Sequence, residues 1–208
     1  IQRNKQFGVD YEIQIGCDEI SSLAALELAK KYNHFTCTLG LHPTDVENIG
    51  QKNKHHRYSG FQDYETKAKS LEALFTLFEQ IYEAHTEKIV GFGETGFDLF
   101  HKNTPQLLAL QKEAFTKHIH LAQKYDRPVI IHSRNARSET LEALKNNVKG
   151  TNIRGIFHCF SEDLQTAHTV TQEYGFLIGI GGVATYKNAD NIREVIREVP
   201  LEFLVTET

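Results

Sequence analysis

The sequence predicts one α/β domain over residues 1–208, with the parallel strands of a (β/α)8 TIM barrel. Short apolar runs alternate, from one end of the chain to the other, with segments whose apolar residues recur every three or four positions. The runs are apolar at both parities, as in Val129-Ile130-Ile131, so helices are expected to cover both faces of the sheet. These features fit either a closed barrel or an open doubly wound sheet.

The count of strands favours the barrel. Residues Ile1–Phe7 resemble the end of a helix that leads into the first apolar run, and such a helix implies an earlier strand. With that earlier strand the total is eight, so we expect a barrel that lacks its first strand. The apolar runs predicted as strands are Tyr11–Ile15, Phe35–Leu39, Lys88–Gly93, Pro128–His132, Gly155–Cys159, Phe176–Ile180 and Phe203–Thr206.

Two apolar stripes predict helices between these strands. One stripe runs from Leu71 to Tyr82 and another from Leu108 to Ala122, the second one behind Thr104 and Pro105, which together form a helix-start signal. The segment Asn48–Lys67 is polar and predicts a long loop inserted before a helix.

The composition excludes some classes of protein. The chain has a formal net charge of −4 with 40% apolar and 24% charged residues, which argues against wholesale disorder. The charge also argues against a nucleic-acid binder that relies on a basic surface. A nuclease whose bound metal ions supply positive charge locally stays open.

The sequence shows no transmembrane segment and no signal peptide. No apolar run approaches the roughly 20 residues of a membrane span, and no basic stretch precedes an apolar core at the N-terminus. The three cysteines are far apart, so we expect reduced thiols and a cytoplasmic protein, with no obligate protein partner indicated. The chain opens with Ile1 and contains no Met, so whether it is a whole protein is open.

Three consecutive predicted strands end in side chains that bind metal ions. The apolar residues of these strands end at Gly93, Ile131 and Phe157, and the next residues are Glu94, His132 and His158. The carboxyl ends of parallel strands meet at one edge of the sheet, where neighbouring strands lie about 5 Å apart. These three side chains are therefore predicted to converge on one ion or on an ion pair. Imidazole and carboxylate suit Zn²⁺, Mn²⁺ or, with more oxygen ligands, Mg²⁺.

Two other patterns receive structural interpretations. The run Gly91–Gly96 matches the G-x-G-x-x-G dinucleotide fingerprint, but residues 97–103 separate it from the next helix start, so we expect the glycines to let the backbone turn around Glu94. His118 and His120 form an H-x-H pair on a predicted helix, where their rings point about 200° apart, and both are expected to be ordinary helix residues.

Two more polar residues lie close to the same predicted edge. His42 comes just past the run Phe35–Leu39, and Arg134 follows His132 by two residues. A guanidinium at that point can clamp a phosphate or a carboxylate through two parallel hydrogen bonds, while a loop salt bridge is the alternative.

Five motifs in order resemble the TatD-type metal-dependent deoxyribonucleases, a family of amidohydrolase-like TIM barrels. Each motif alone is weak, whereas five at family spacing are specific, and they cover essentially the whole chain. The motifs are Gly40–Pro43, Gly93–Asp98, Val129–Arg134, Phe157–Ser161 and Gly179–Gly182.

The resemblance implies hydrolysis of phosphodiester bonds in DNA with two divalent metal ions, Mg²⁺, Mn²⁺ or Zn²⁺. Carried over by position, Glu94 would bridge the ions, and His132 and His158 would each ligate one. His42 and Arg134 would contact the substrate phosphate or the attacking water, which makes Glu94, His42 and Arg134 the predicted catalytic residues.

The sequence also departs from the family pattern at both ends. The family opens with an H-x-H motif on its first strand, and nothing precedes Ile1 here. It ends its last strand in Glu-Thr-Asp, where the chain stops at Glu207-Thr208. The expectation from the resemblance is a barrel without its first strand and without the end of its last βα unit.

Three functions remain open from the sequence. The first is a deoxyribonuclease. The second keeps the metal barrel but hydrolyses a small ester, amide or lactone, with Arg134 binding a carboxylate. The third is a non-catalytic fragment or a degenerate barrel, which the absent H-x-H and terminal Asp favour.

Overall fold

A computed structural model describes residue 4, residues 6–50 and residues 64–207 of the chain. Most of the predicted loop Asn48–Lys67 and most of the predicted helix end Ile1–Phe7 lie outside the described residues. Within the described ranges, no helix combines the length and the apolar character needed to cross a bilayer.

In the described part of the chain seven strands form one sheet, and every predicted strand is confirmed. All neighbouring strands are parallel. In chain order the strands are β1 (Glu12–Gln14), β2 (Phe35–Leu39), β3 (Ile89–Asp98), β4 (Val129–Arg134), β5 (Gly155–Phe157), β6 (Leu177–Ile180) and β7 (Leu204–Thr206).

The strands lie side by side in the same order as in the chain, from β1 to β7. A doubly wound sheet reverses its strand order at a switch point, whereas a (β/α)8 barrel keeps strictly sequential neighbours. The observed order is therefore that of the barrel, and it decides between the two architectures left open by the sequence.

Helices connect the strands, as crossovers between parallel strands require. The α-helices are α1 (Glu19–Lys31), α2 (Leu71–Ala84), α3 (Pro105–Lys124), α4 (Arg137–Asn147), α5 (Leu164–His168) and α6 (Asp190–Glu198). A π-helical stretch, Thr169–Glu173, continues α5, and short 3-10 turns cover Gly182–Thr185 and Leu201–Phe203.

The helix-start signal at Thr104 and Pro105 acts as predicted. Thr104 caps α3 by accepting a hydrogen bond from the backbone amide of Leu107, with Pro105 in the first turn. The stripe on α2 buries Leu74, Phe78 and other members in the hydrophobic core. The largest fully buried side chains include Phe78, Phe92, Phe97, Phe115, Phe157 and Phe176, which fill the layer between strands and helices.

The third strand is longer than the sequence indicates. The predicted run ends at Gly93, whereas β3 continues to Asp98 and pairs with β4 up to Arg134. The register shifts between Phe92 and Thr95, so the chain passes the glycines through an irregularity in the strand and makes no sharp turn. The expected turn around Glu94 is therefore wrong.

Candidate metal centre

The predicted metal ligands meet at the carboxyl ends of the strands, around Glu94 of β3. The Glu94 side chain is 6% exposed. Its Oε1 lies 2.9 Å from Nδ1 of His132 on β4 and 3.8 Å from Nε2 of His42, which follows β2. Its Oε2 lies 3.1 Å from Nδ1 of His158, directly after β5. The two carboxylate oxygens thus face different histidines.

Two further carboxylates complete the ring of contacts. Asp98 Oδ2 lies 3.0 Å from His132 Nε2, and Glu207 Oε2 lies 3.3 Å from His158 Nε2. Each of these imidazoles therefore has Glu94 on one ring nitrogen and a second carboxylate on the other. A histidine that ligates a metal with one nitrogen commonly donates its other N–H to a carboxylate. This arrangement fits His132 and His158 as ligands through Nδ1.

His42 differs from the other two histidines in the hydrogen bonds that its ring nitrogens make. The backbone amide of Thr44 donates to Nδ1 of His42 over 3.2 Å, and an amide can only donate. The neutral ring therefore carries its proton on Nε2, which lies 3.1 Å from His132 Nδ1. Although one ligand atom each of His42, Glu94 and His132 lie within 4.8 Å of one another, this hydrogen-bonding pattern makes His42 a proton donor.

Burial and neighbouring charges set the protonation states of the cluster. Burial raises the pKa of Glu94, but hydrogen bonds from His132 and His158 outweigh burial and hold its pKa well below the ordinary value. Burial, together with the adjacent His132, lowers the pKa of His42 to about 4. The hydrogen bond to Glu94 raises the pKa of His158. At neutral pH the site thus presents an ionised carboxylate and a neutral His42.

The donor set fits a divalent cation. His132 has carboxylate oxygens within 3.0 Å of both ring nitrogens, and Nε2 of His42 lies 3.1 Å from its Nδ1. The negative charge of these carboxylates around one imidazole would be balanced by a metal ion bound beside Nδ1. Glu207 Oε1 is buried and has no hydrogen-bond partner among the described residues. This oxygen is therefore available to coordinate a metal ion.

A thiol lies at the edge of the cluster. Cys17, which follows β1, has its Sγ 3.8 Å from Glu94 Oε2. Burial and the charge of Glu94 raise the pKa of this thiol, so it remains protonated and acts as a weak donor to the carboxylate. Cys17 received no role from the sequence, although it stands just past a strand end as the histidines do.

Arg134 lies at the rim of the site. Its Nε is 3.1 Å from Asp98 Oδ2, and its side chain is 40% exposed. The guanidinium carbon also lies 4.3 Å from the centroid of the Phe100 ring. The salt bridge expected as one alternative for Arg134 is therefore present, with Asp98 as its partner, and the guanidinium still reaches solvent.

Buried polar side chains of α3 fix the loop that carries His42. The Nε2 of His118 accepts a hydrogen bond of 3.2 Å from the amide of Leu41. Gln111 donates through Nε2 to the carbonyl oxygens of Pro43 and Asp98, each over 3.1 Å. Both side chains are fully buried. His118 is thus a structural helix residue, as the sequence predicts, and not half of a chelating pair.

The structure brings together all five residues predicted for the site and adds four that sequence reasoning assigned no role. The added residues are Cys17, Asp98, Phe100 and Glu207. Glu94, Gly96 and Asp98 are spaced two residues apart on β3. Residues at this spacing lie on one face of a strand. That alternation would have indicated Asp98, had the strand been extended past Gly93. The dinucleotide fingerprint has no helix start at its end, since β3 runs through it.

Comparisons with known proteins identify the family of this chain. Residues 1–208 match the family of TatD-related DNases. The chain belongs to this family. It is 34% identical over 208 residues to the uncharacterized metal-dependent hydrolase YjjV of Escherichia coli K12, covering all of this chain and 70% of that protein. The resemblance predicted from the five motifs is confirmed.

Other curated relatives match part of their own length. The chain is 40% identical over 125 residues to the uncharacterized metal-dependent hydrolase YcfH of Escherichia coli K12, which is 60% of this chain and 46% of YcfH. It is 29% identical over 208 residues to the deoxyribonuclease Tat-D of Schizosaccharomyces pombe, covering 61% of that protein. The chain thus matches about half the length of YcfH.

Solved structures confirm the TIM-barrel fold class. The crystal structure of YjjV superimposes with a TM-score of 0.78 over all of this chain and 70% of that one. A TatD-family hydrolase of Entamoeba histolytica gives 0.73 at 24% identity, over all of this chain and 62% of that one. An Escherichia coli phosphotriesterase homology protein gives 0.62 at 14% identity, over 99% and 70%. The last two support the fold alone.

Proposed function

We propose that this TatD-family chain carries the metal centre of a deoxyribonuclease, which hydrolyses phosphodiester bonds in DNA with two divalent metal ions. The observation that carries the proposal is the buried Glu94 carboxylate, whose two oxygens face His132 and His158 separately. A carboxylate so placed can bridge two ions. The name of the Schizosaccharomyces pombe relative supports DNA as the substrate.

Glu94, His132 and His158 are the proposed metal ligands, with Asp98 and Glu207 orienting the two histidines. The ions would be Zn²⁺, Mn²⁺ or Mg²⁺, and the nitrogen-rich set favours the first two. When bound, such ions lower the pKa of a water and stabilise charge on the attacking and leaving oxygens.

The chain's own residues supply binding and proton placement. His42 holds a proton on Nε2 at neutral pH and can donate it in a hydrogen bond to a phosphate oxygen or to the attacking water. Arg134 offers its exposed guanidinium edge to a phosphate while Asp98 fixes its Nε. A local positive site of this kind is needed, since the chain as a whole carries a net charge of −4.

The metal sites can be tested without activity. The protein, with whatever flanking sequence its coding region specifies, is titrated calorimetrically with Zn²⁺ and Mn²⁺ after chelation. We expect stoichiometric binding in the wild type and a large loss of affinity in Glu94→Gln and His132→Ala. Glu27→Gln, an exposed surface change on α1, should bind as the wild type does. Equal affinity in all four proteins would reject this ligand assignment.

The reaction is tested with the same proteins loaded with metal. The substrates are single- and double-stranded DNA and a panel of small phosphodiesters, carboxylic esters, amides and lactones. We expect DNA cleavage by the wild type and by Glu27→Gln, and none by Glu94→Gln or His132→Ala. A small ester, amide or lactone that is hydrolysed faster than any DNA would establish the second hydrolase class instead. Metal binding without any hydrolysis would favour a non-catalytic chain.

A further inference from the structure

We propose that Phe100 is a base-stacking residue of this site, holding the nucleobase next to the phosphate that Arg134 binds. The inference rests on the proposed nuclease function and extends it. It makes a base-bearing nucleic-acid strand, and not a base-free phosphodiester, the preferred substrate. Phe100 would then determine specificity by contacting the substrate, without taking part in the chemistry.

Phe100 is an exposed aromatic residue at the rim of the site. It lies in the connection between β3 and α3, two residues past Asp98, and 56% of its surface is exposed. Its ring contacts Arg134 and the ring of His101, whose centroid is 4.7 Å away, and more than half of the residue still faces solvent. An aromatic face left open beside a phosphate-binding group is what stacking of a base requires.

Asp98 ties the position of this ring to the metal centre. The backbone amide of Phe100 donates to Asp98 Oδ1 over 3.0 Å. The other oxygen, Oδ2, lies 3.0 Å from His132 Nε2 and 3.1 Å from Arg134 Nε. One buried carboxylate therefore positions a proposed metal ligand, the guanidinium and the aromatic residue together.

The contact between Arg134 and Phe100 strengthens the inference. The guanidinium carbon lies 4.3 Å from the ring centroid, which is within the range of a cation–π interaction. This contact covers part of the ring and orients the guanidinium beside it. In a nucleotide the base and the phosphate are attached to the same sugar, so adjacent sites for a base and for a phosphate match one nucleotide unit.

The competing reading is that Phe100 only packs on Arg134 and keeps its guanidinium in place. The two readings differ in one measurable respect. A ring that merely positions Arg134 affects every phosphodiester equally, because each one presents a phosphate. A ring that stacks a base affects only substrates that carry a base, by about 5- to 150-fold in binding.

The experiment compares two oligonucleotides of equal length, one with bases and one with tetrahydrofuran abasic sites throughout. We measure kcat and KM for the wild type, Phe100→Ala, Phe100→Trp and Tyr11→Ala. Tyr11 is a matched control, since it is also 56% exposed but precedes β1, at the opposite end of the sheet. We expect Phe100→Ala to raise KM at least 5-fold for the base-bearing strand alone, and Phe100→Trp to restore it.

An equal loss on both substrates would overturn the inference in favour of packing on Arg134. So would an unchanged KM in Phe100→Ala, or the same change in Tyr11→Ala. Base stacking is also measured without turnover, by quenching of 2-aminopurine fluorescence in a single-stranded oligonucleotide bound to metal-free protein. We expect Phe100→Ala to reduce the quenching and Tyr11→Ala to leave it unchanged.

The two proposals fail in different ways. If the metal-loaded wild type hydrolyses neither oligonucleotide, the nuclease proposal fails while the fluorescence experiment still reports on stacking. If it hydrolyses both with a Phe100-independent preference, the nuclease proposal stands and the stacking role of Phe100 is rejected.

Discussion

Asp98 Oδ2 on β3 lies 3.0 Å from Nε2 of His132, at the paired strand β4. The Asp98 side chain is 2% exposed, and burial opposes its ionisation, but hydrogen bonds from the amide of Phe100 and from His132 lower its pKa. The ionised carboxylate therefore accepts from His132 and fixes which ring nitrogen faces Glu94. Asp98 is a positioning residue for a proposed metal ligand.

The first prediction concerns Asp98→Asn. The neutral amide cannot both accept from His132 and carry the negative charge that pairs with Arg134, so metal affinity should fall about 10- to 100-fold. The measurement is calorimetric titration with Zn²⁺. Asp126→Asn provides the control, since Asp126 is a 91% exposed carboxylate paired with Arg154 at a positive φ that Asn tolerates. Wild-type affinity in Asp98→Asn would show that His132 needs no such partner.

Asp98 also shows where reasoning from the sequence stops. The apolar runs predict all seven described strands and the edge at which the ligands lie. They do so because a strand that is buried on both faces of a parallel sheet is apolar at nearly every position. The predicted end of β3 at Gly93 precedes the observed end at Asp98, because glycines weaken a strand pattern. Here Gly93 and Gly96 have φ values of +125° and +143° and continue the strand.

The tertiary partners of the ligands could not be read from the sequence. Glu207 lies about 50 residues from His158, and Cys17 lies 77 residues from Glu94. Their contacts depend on how the strand ends converge in three dimensions, and a local sequence pattern does not predict which distant residues come into contact. His118 shows the same limit, because the sequence predicts its place on a helix but not its bond to the Leu41 amide.

The second prediction tests the close approach of β3 to β4 at Gly96. A Cβ at this position would lie 2.0 Å from the carbonyl oxygen of His132, a backbone atom that cannot move without parting the strands. We expect Gly96→Ala to lower the free energy of unfolding by more than about 3 kcal/mol, through overpacking and strain together. Urea denaturation gives this value.

The matched control for Gly96→Ala is Gly150→Ala. Gly150 has a φ of +83°, but no atom lies within 4 Å of a Cβ built there. This substitution isolates the cost of the backbone conformation, about 1–2 kcal/mol. Equal destabilisation by the two variants would mean that contact with His132 adds nothing.

The third prediction concerns Glu19 at the start of α1. Its buried carboxylate accepts hydrogen bonds from the amides of Lys67 and Ala68, over 2.7 and 3.0 Å, and from the hydroxyl of Tyr64 over 2.8 Å. Glu19→Gln turns one accepting oxygen into a donor that faces these groups. We expect a loss of about 1–3 kcal/mol in the free energy of unfolding.

Glu27→Gln on the same helix is the control for Glu19→Gln. Glu27 is exposed and pairs with Lys30 one turn away, a contact worth at most about 0.5 kcal/mol. Urea denaturation of both variants checks the difference. A Glu19→Gln protein as stable as Glu27→Gln would show that the three hydrogen bonds contribute no net stability.

The last prediction is a pH dependence caused by His118, which is fully buried in α3. Burial lowers its pKa from an ordinary value of 6.5 to about 4. The folded chain therefore holds His118 neutral while the unfolded chain takes up a proton below pH 6.5. Its contribution to stability is full above that pH and is lost as the pH falls towards 4. The loss amounts to about 3 kcal/mol, since each pKa unit corresponds to about 1.4 kcal/mol.

His118→Gln removes the titrating group and retains an oxygen that can accept from the Leu41 amide. Its free energy of unfolding, measured by urea denaturation from pH 7.5 to 4, should fall less steeply below pH 6.5 than that of the wild type. His120→Gln removes an exposed histidine two positions away on the same helix and should retain the wild-type slope. Because all titrating groups except His118 and His120 are common to the three proteins, parallel curves for all of them would exclude His118 as the source of the acid sensitivity.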